Sequence, residues 1–341
     1  MNDVMTAEGI GTATAQEGEW SPEFRSAVAG ITVSAERNSA AVDGREVTAD
    51  DPRALEAVLA GALYEAWHAG RPEGAENLPR RLRDAALEQA LGEAVPHRHT
   101  SVEVVACAAP ADAAGDPDHL VVQRDGVRTW VARDTVEAAL GEPVGPEGPA
   151  AGRRFTLRVP AARPALSPGF FLVDGSVPQS GSGATLRFYV HLTDPHHAVA
   201  VWGAVLRHLE ERQVPYRVKV LSSPLLYPRR DALVVYLDET VRYAVAGLAE
   251  VVAGRPGVGR DTSLFTRRLG PGVAVAWEPE DPRPAMRGLS FGQHRASAVA
   301  GAVLHAERTG EPRERALRTR FAEAGADPAD PYRNTASPQL F

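Results

Sequence analysis

The 341 residues carry 37 lysines and arginines against 44 aspartates and glutamates, a formal net charge of -7, with 44% hydrophobic residues. This is the composition of an ordinary globular protein, and its acidity argues against nonspecific binding to nucleic acid or to an anionic membrane surface. One cysteine, Cys107, excludes an intrachain disulfide and a multi-cysteine zinc site, and no apolar run approaches the ~20 residues that span a bilayer.

The chain opens M-N-D-V-M-T-A-E-G, without the basic and apolar regions of a Sec-type signal, so a cytoplasmic location is expected. At this length two domains are expected. Residues 1–20, rich in Gly, Ala, Thr and Glu without periodicity, read as a disordered tail. Asp51 and Pro52 then start a helix whose apolar stripe (Leu55, Val58, Leu59, Ala62, Leu63, Trp67) ends at Gly70. A second helix is expected from Leu78 to Leu91. Val102 to Ala106 reads as a strand and Leu120 to Ala132 as a hairpin turning at Asp125-Gly126. His97 and His99, in P-H-R-H-T, have no neighbouring ligand residue and read as a solvated loop. Thr135 to Leu140 reads as a short helix. The linker-like G-E-P-V-G-P-E-G-P-A-A-G at residues 141–152 sets an expected division into an N-terminal domain, 21–145, and a C-terminal domain, 154–341.

In the second half, Phe155–Val159 and Gly169–Val173 read as strands, and Asp174 to Gly183, which lacks the spacing of a nucleotide-binding loop, as a flexible flap. In L-R-F-Y-V-H-L, alternation puts Arg187, Tyr189 and His191 on one face of a strand. A helix over 197–212 leads to Y-R-V-K-V-L, which puts Arg217 and Lys219 on one face. The loop S-S-P-L-L-Y-P-R-R-D carries Tyr227, Arg229 and Arg230 into a strand over 232–237. A helix over 240–253, an irregular segment over 261–272 with Arg267 and Arg268, a strand over 273–277, and helices over 290–308 and 312–324 follow. Strands and helices mix without regular alternation. The expectation is an α+β fold: a mixed or antiparallel central sheet flanked by helices in the C-terminal domain, and a smaller, mostly helical N-terminal domain with a β-hairpin.

Lys219 is the only lysine; the other 36 basic residues are arginine. A chain that has exchanged lysine for arginine almost everywhere keeps it where arginine fails, and what arginine cannot do is give up its proton. If the strands carrying Arg187/Tyr189/His191 and Arg217/Lys219 pair, their polar faces line one pocket, which Tyr227, Arg229, Arg230, Arg267, His294 and Arg295 are candidates to join. Guanidinium forks suit phosphate. A lysine base, a phosphate cradle and His191 as acid fit β-elimination of phosphate from phosphoserine or phosphothreonine, with no metal and no cofactor. The alternative for the Arg187/Tyr189/His191 face is a solvated sheet surface, and for His294 and Arg295 an exposed helix start.

The segments G-F-F-L-V-D-G-S, R-F-Y-V-H-L, P-Y-R-V-K-V-L with Y-P-R-R-D, L-F-T-R-R-L-G-P-G-V-A-V-A and S-F-G-Q-H-R, in order from Pro168 to Ala300, resemble the HopA-type family. These are type III effectors of plant pathogens, with bacterial relatives that act as lyases in class V lanthipeptide and thioamitide biosynthesis. The resemblance implies elimination of phosphate from a precursor peptide that a separate kinase protein has phosphorylated. By analogy to the phosphothreonine lyases of the OspF and SpvC type it implies Lys219 as base and His191 as acid. The N-terminal residues are then candidates to contact leader peptide or kinase. A noncatalytic phosphopeptide-binding scaffold or effector-like protein using the same arginines is the competing reading.

Overall fold

The protein is described from a computed structural model, which covers residues 20–340 except 35, 37, 71–82, 109–117, 125 and 182. The expected tail, the first part of the helix expected from Leu78, and Asp125 of the hairpin turn lie outside the described residues.

In chain order the elements are α1 (Pro22–Gly30), β1 (Thr32–Ser34), β2 (Ser39–Val42), β3 (Arg45–Thr48), α2 (Pro52–Leu63) with a π-helical continuation (Tyr64–Ala69), and α3 (Ala85–Glu93). Next come β4 (His99–Ala106), β5 (His119–Arg124), β6 (Val127–Ala132), α4 (Arg133–Leu140), β7 (Arg154–Pro160), β8 (Ala162–Ser167) and β9 (Phe170–Asp174). The rest are β10 (Thr185–Leu192), α5 (Pro195–Glu211), β11 (Arg217–Leu221), β12 (Arg229–Asp238), α6 (Ala244–Val252), β13 (Arg267–Gly270), β14 (Val273–Trp277), α7 (Phe291–Thr309) and α8 (Arg313–Glu323). The fold is α+β, and its strands pair antiparallel throughout the three sheets.

The chain divides elsewhere than at residues 141–152. One compact unit joins the described residues up to Trp67 with Pro279–Ser337; the other runs from His68 to Glu278 and takes in residues 338–340. The linker-like stretch is instead an internal connection. It ends at β7, which pairs with β4 over seven residues in the sheet β6-β5-β4-β7. A Pro/Gly-rich composition sets local turn chemistry, and strand pairing of the flanks decides whether a domain ends there.

In the first unit, α2 begins where Asp51 caps the amides of Arg53 and Ala54 and Pro52 occupies the first turn. Edge-to-face contacts join Trp20, Phe24, Trp67 and Phe321 into an aromatic core. The three-stranded sheet β1-β2-β3 completes this unit.

The second unit is built on a seven-stranded sheet of order β13-β14-β10-β12-β11-β9-β8. On one face Phe171 meets Trp202 of α5 at 6.2 Å, and Val218, Val220, Phe188 and Val190 are fully buried. Burial of this apolar face is the main stabilising term. Alternation places the polar residues of β10, β11 and β12 on the opposite face.

Candidate functional site

The strand carrying Arg187 and the strand carrying Lys219 are not neighbours: β12 lies between them. Register restores the juxtaposition one strand further out. Arg187 and Arg217 both stand opposite Tyr236, so Arg187, Tyr236 and Arg217 form one row across three strands, and Asp174 on β9 continues it. The next row on the same face holds Tyr189, Val234, Lys219 and Leu172. At about 4.8 Å per strand, Arg187 and Arg217 are rooted about 10 Å apart, with an aromatic ring between.

Over this face lies a pocket of about 320 Å³ lined by Ser167, Leu172, Gln179, Thr185, Arg187, Arg217, Lys219, Tyr236 and Glu278. Each cation meets it differently. Arg187 is nearly buried, lies over the Tyr236 ring at 5.1 Å and makes a two-pronged ion pair from Nε and Nη2 to the Glu278 carboxylate. Arg217 pairs with Asp174 at 2.7 Å, whose second oxygen takes Arg163 at 2.7 Å. Lys219 has no hydrogen bond or ion pair among the described residues; its Nζ sits 4.1 Å from the centre of the Phe170 ring and 5.9 Å from that of Tyr236. A cation over ring faces, with no carboxylate on it, keeps its donor position open.

The Gly/Ser-rich loop forms a pinned wall, not the expected free flap. Ser176 bonds Glu210, Gln179 Nε2 donates to the Tyr236 carbonyl at 3.0 Å, and the Ser180 amide and hydroxyl both donate to Asp238. His97, expected in a solvated loop, is likewise held, by the Asp174 carbonyl at 2.9 Å and Glu210 at 3.4 Å.

Packed on Tyr189 is a second, buried polar group. His68 meets the Tyr189 ring edge-on at 5.4 Å, bonds Ser263 at 2.9 Å through Nδ1, and has Asp231 3.9 Å from Nε2. Burial, with help from the nearby Arg229, Arg187 and Lys219 cations, brings the His68 pKa down to about 4, so it is neutral. Asp231 is itself buried, which opposes ionisation, but a bidentate pair with Arg229 at 2.7 Å holds it well below the usual carboxylate range.

Of the sequence-predicted residues, Lys219, Arg187 and Arg217 line the pocket, and the others do not. Tyr189 is buried beside them, its hydroxyl pushed up first by burial. His191, the expected acid, lies outside the pocket, where the β10–β12 register is interrupted between Val190 and Leu192: its Nδ1 faces the Asp261 carbonyl at 3.2 Å, and it packs against Gly259. Burial lowers its pKa, and Arg230 adds to that. Tyr227 donates to the Leu221 carbonyl at 3.0 Å. Arg229 is committed to Asp231, and Arg267 is exposed on the edge strand β13. His294 and Arg295 are neither in the pocket nor at an exposed helix start: both are interior residues of the first unit. Arg295 donates to Pro331 O, Arg333 O and Asn334 Oδ1, and His294 bonds Asp281 at 2.9 Å. The residues missed were Tyr236, Glu278, Gln179, Phe170, His68 and Asp231. Only Tyr236 left a signal, as the polar residue of an otherwise apolar strand.

The model of the HopA1 effector protein family matches residues 161–333, just over half of the chain and all of the pocket. The chain belongs to that family. Two solved effector structures are similar to it. That from Pseudomonas syringae pv. tomato strain DC3000 matches at 15% identity and TM-score 0.42 over 82% of this chain and 99% of that one. That from Pseudomonas syringae pv. syringae strain 61 matches at 18% identity and TM-score 0.38 over 48% of this chain and 62% of that one, so less than two thirds of its length is spanned. No curated protein matches the chain. No described helix is long and apolar enough to cross a membrane.

Proposed function

We propose that this HopA1-family chain is a phosphoserine/phosphothreonine lyase that eliminates phosphate from a phosphorylated precursor peptide, leaving dehydroalanine or dehydrobutyrine. The observation that carries the reading is Lys219: the only lysine of the chain, in one pocket with two arginines, and the one pocket cation with no ion pair among the described residues. Its amine, when neutral, takes the Cα proton. The Cβ–O bond breaks, its electron pair leaves with the phosphate oxygen, and the Cα electron pair forms the new double bond. Arg187 and Arg217 hold the phosphate and take up its charge. With His191 outside the pocket, Tyr236, set between both arginines, is the hydroxyl of this row that would protonate the departing oxygen. A separate kinase protein supplies the phosphorylated peptide, in the biosynthesis of lanthipeptides or thioamitides.

The competing reading, a phosphopeptide-binding scaffold in the manner of an effector, uses the same arginines without chemistry. Lys219→Arg separates the two, because arginine holds phosphate and cannot act as base. Incubation with phosphothreonine peptide and mass spectrometry is expected to show loss of phosphoric acid with wild type and a rate lower by about 10³-fold in Lys219→Arg, with binding kept. Equal rates in the two proteins would sink the base assignment. Binding without elimination in either one would favour the scaffold.

A further inference from the structure

Arg187 is already occupied by an anion. Its side chain is 9% exposed and that of its partner Glu278 is 35% exposed. The two ends of this pair differ in their freedom. Arg187 sits mid-strand on β10, paired on both sides by β12 and β14, with its guanidinium over Tyr236. Glu278 is the first residue past β14, tied by its backbone amide to Thr185 O at 2.8 Å, and its carboxylate lines the pocket beside water. In the Arg217 pair the anion is instead the fixed end, because Asp174 is buried and bridges two arginines.

We propose that Glu278 is an exchangeable resident anion: it holds Arg187 in the empty pocket, swings to solvent when a phosphomonoester enters, and returns to help expel the phosphate product. This rests on the reading of the pocket as a phosphate site. A bound phosphate presents Arg187 with the same two-oxygen edge as a carboxylate, so both fit the guanidinium fork, and they exclude each other. Phosphate gains from its extra charge and its reach to Arg217 and Lys219; Glu278 gains from being tethered at high local concentration. A site that is free only a tenth of the time binds about tenfold more weakly than its intrinsic affinity. That attenuation favours release of inorganic phosphate, which lacks the peptide contacts of the substrate.

Calorimetric titration of the full chain with inorganic phosphate tests this. Glu278→Gln is expected to bind phosphate at least about tenfold more tightly than wild type, and phosphate is expected to raise its melting temperature more than that of wild type. Glu278→Asp keeps the charge but draws the carboxylate back by one methylene, so under exchange it shares most of the gain. A gain confined to Glu278→Gln means that only the local field changed, and overturns the proposal, as does no gain in either variant. If Glu278→Gln fails to fold, Glu278→Asp alone decides. The lyase reading fails separately: tighter phosphate binding in the Glu278 variants, with no phosphate lost from peptide by wild type, removes the chemistry and leaves the exchange standing.

Discussion

Arg187 and Arg295 look alike in the sequence, each in a short motif with a histidine nearby, and each is almost completely buried. Their partners differ. Arg295 gives its guanidinium to the backbone carbonyls of Pro331 and Arg333, to the Asn334 side chain and to His294, above the Phe291 ring at 5.1 Å. Those carbonyls leave only if the C-terminal segment of the first unit unfolds. Arg187 gives its guanidinium to a half-exposed carboxylate on the rim of a pocket, beside the buried Tyr189 side chain. A buried arginine is available to a ligand when its resident partner can leave at small cost; otherwise it is a fastener.

The largest effects break this comparison directly. Arg295→Met removes the donors of several enclosed acceptors and is expected to lower stability by about 3 kcal/mol or more, with phosphate affinity unchanged. Arg187→Met is expected to reverse the pattern. Glu278 turns to water, so stability falls by only about 1 kcal/mol, while phosphate affinity drops by about a hundredfold with loss of a charge-assisted bidentate contact. Denaturant melts and phosphate titrations of both variants check this. An Arg295 variant that loses phosphate affinity at full stability would undo the distinction.

Acid provides the next effect. The pKa values of His68 and His294 are each brought down to about 4, in both cases first by burial, against an ordinary 6.5. The unfolded chain therefore binds more protons than the folded one between those values, and stability rises with pH there. Read downward, stability is level above about pH 7 and is lost between about pH 6.5 and 4, by up to roughly 3 kcal/mol for each buried histidine. Asp231, held low in the folded state, adds a further loss below its unfolded value of about 4. Urea melts across pH are expected to show this slope, and His68→Gln to flatten it. A flat profile in wild type would mean that the buried histidines take up protons without unfolding.

Alternation made the faces of β10 and β11 legible: R-F-Y-V-H-L and Y-R-V-K-V-L each gave the correct side for Arg187, Tyr189, Arg217 and Lys219. Strand order was not legible, because nothing local in either strand records that β12 separates them, and so Tyr236 went unseen. The interruption of the β10–β12 register beside His191 is equally long-range, since Leu192 meets Arg229 after Val190 meets Leu233 and the extra residues lie on β12. Helices with a capping residue and an apolar stripe were read to within a few residues, as for α2, α5 and α7. The short strands β1–β3, β8 and β13 lack that periodic length. Glu278 is a single acid after an apolar strand, and its meaning depends on which strand lies beside β14.

The smallest expected effect on stability sharpens the contrast within the pocket itself. The Arg217 side chain is 38% exposed, and its partner Asp174 also has Arg163. Arg217→Gln therefore leaves no carboxylate unpaired, and water screens what is lost, so stability is expected to change by no more than about 1 kcal/mol. Phosphate affinity is expected to fall by about tenfold, since the row then offers one guanidinium where it had two. Because Asp174 is not an exchangeable partner, Asp174→Asn is expected to loosen Arg217 and lower phosphate affinity as well, opposite in sign to Glu278→Gln. Titration of both carboxamide variants with inorganic phosphate checks that difference. If the two variants move affinity the same way, the carboxylates act only through their charge, and the asymmetry between a fixed and an exchangeable partner carries no weight in this pocket.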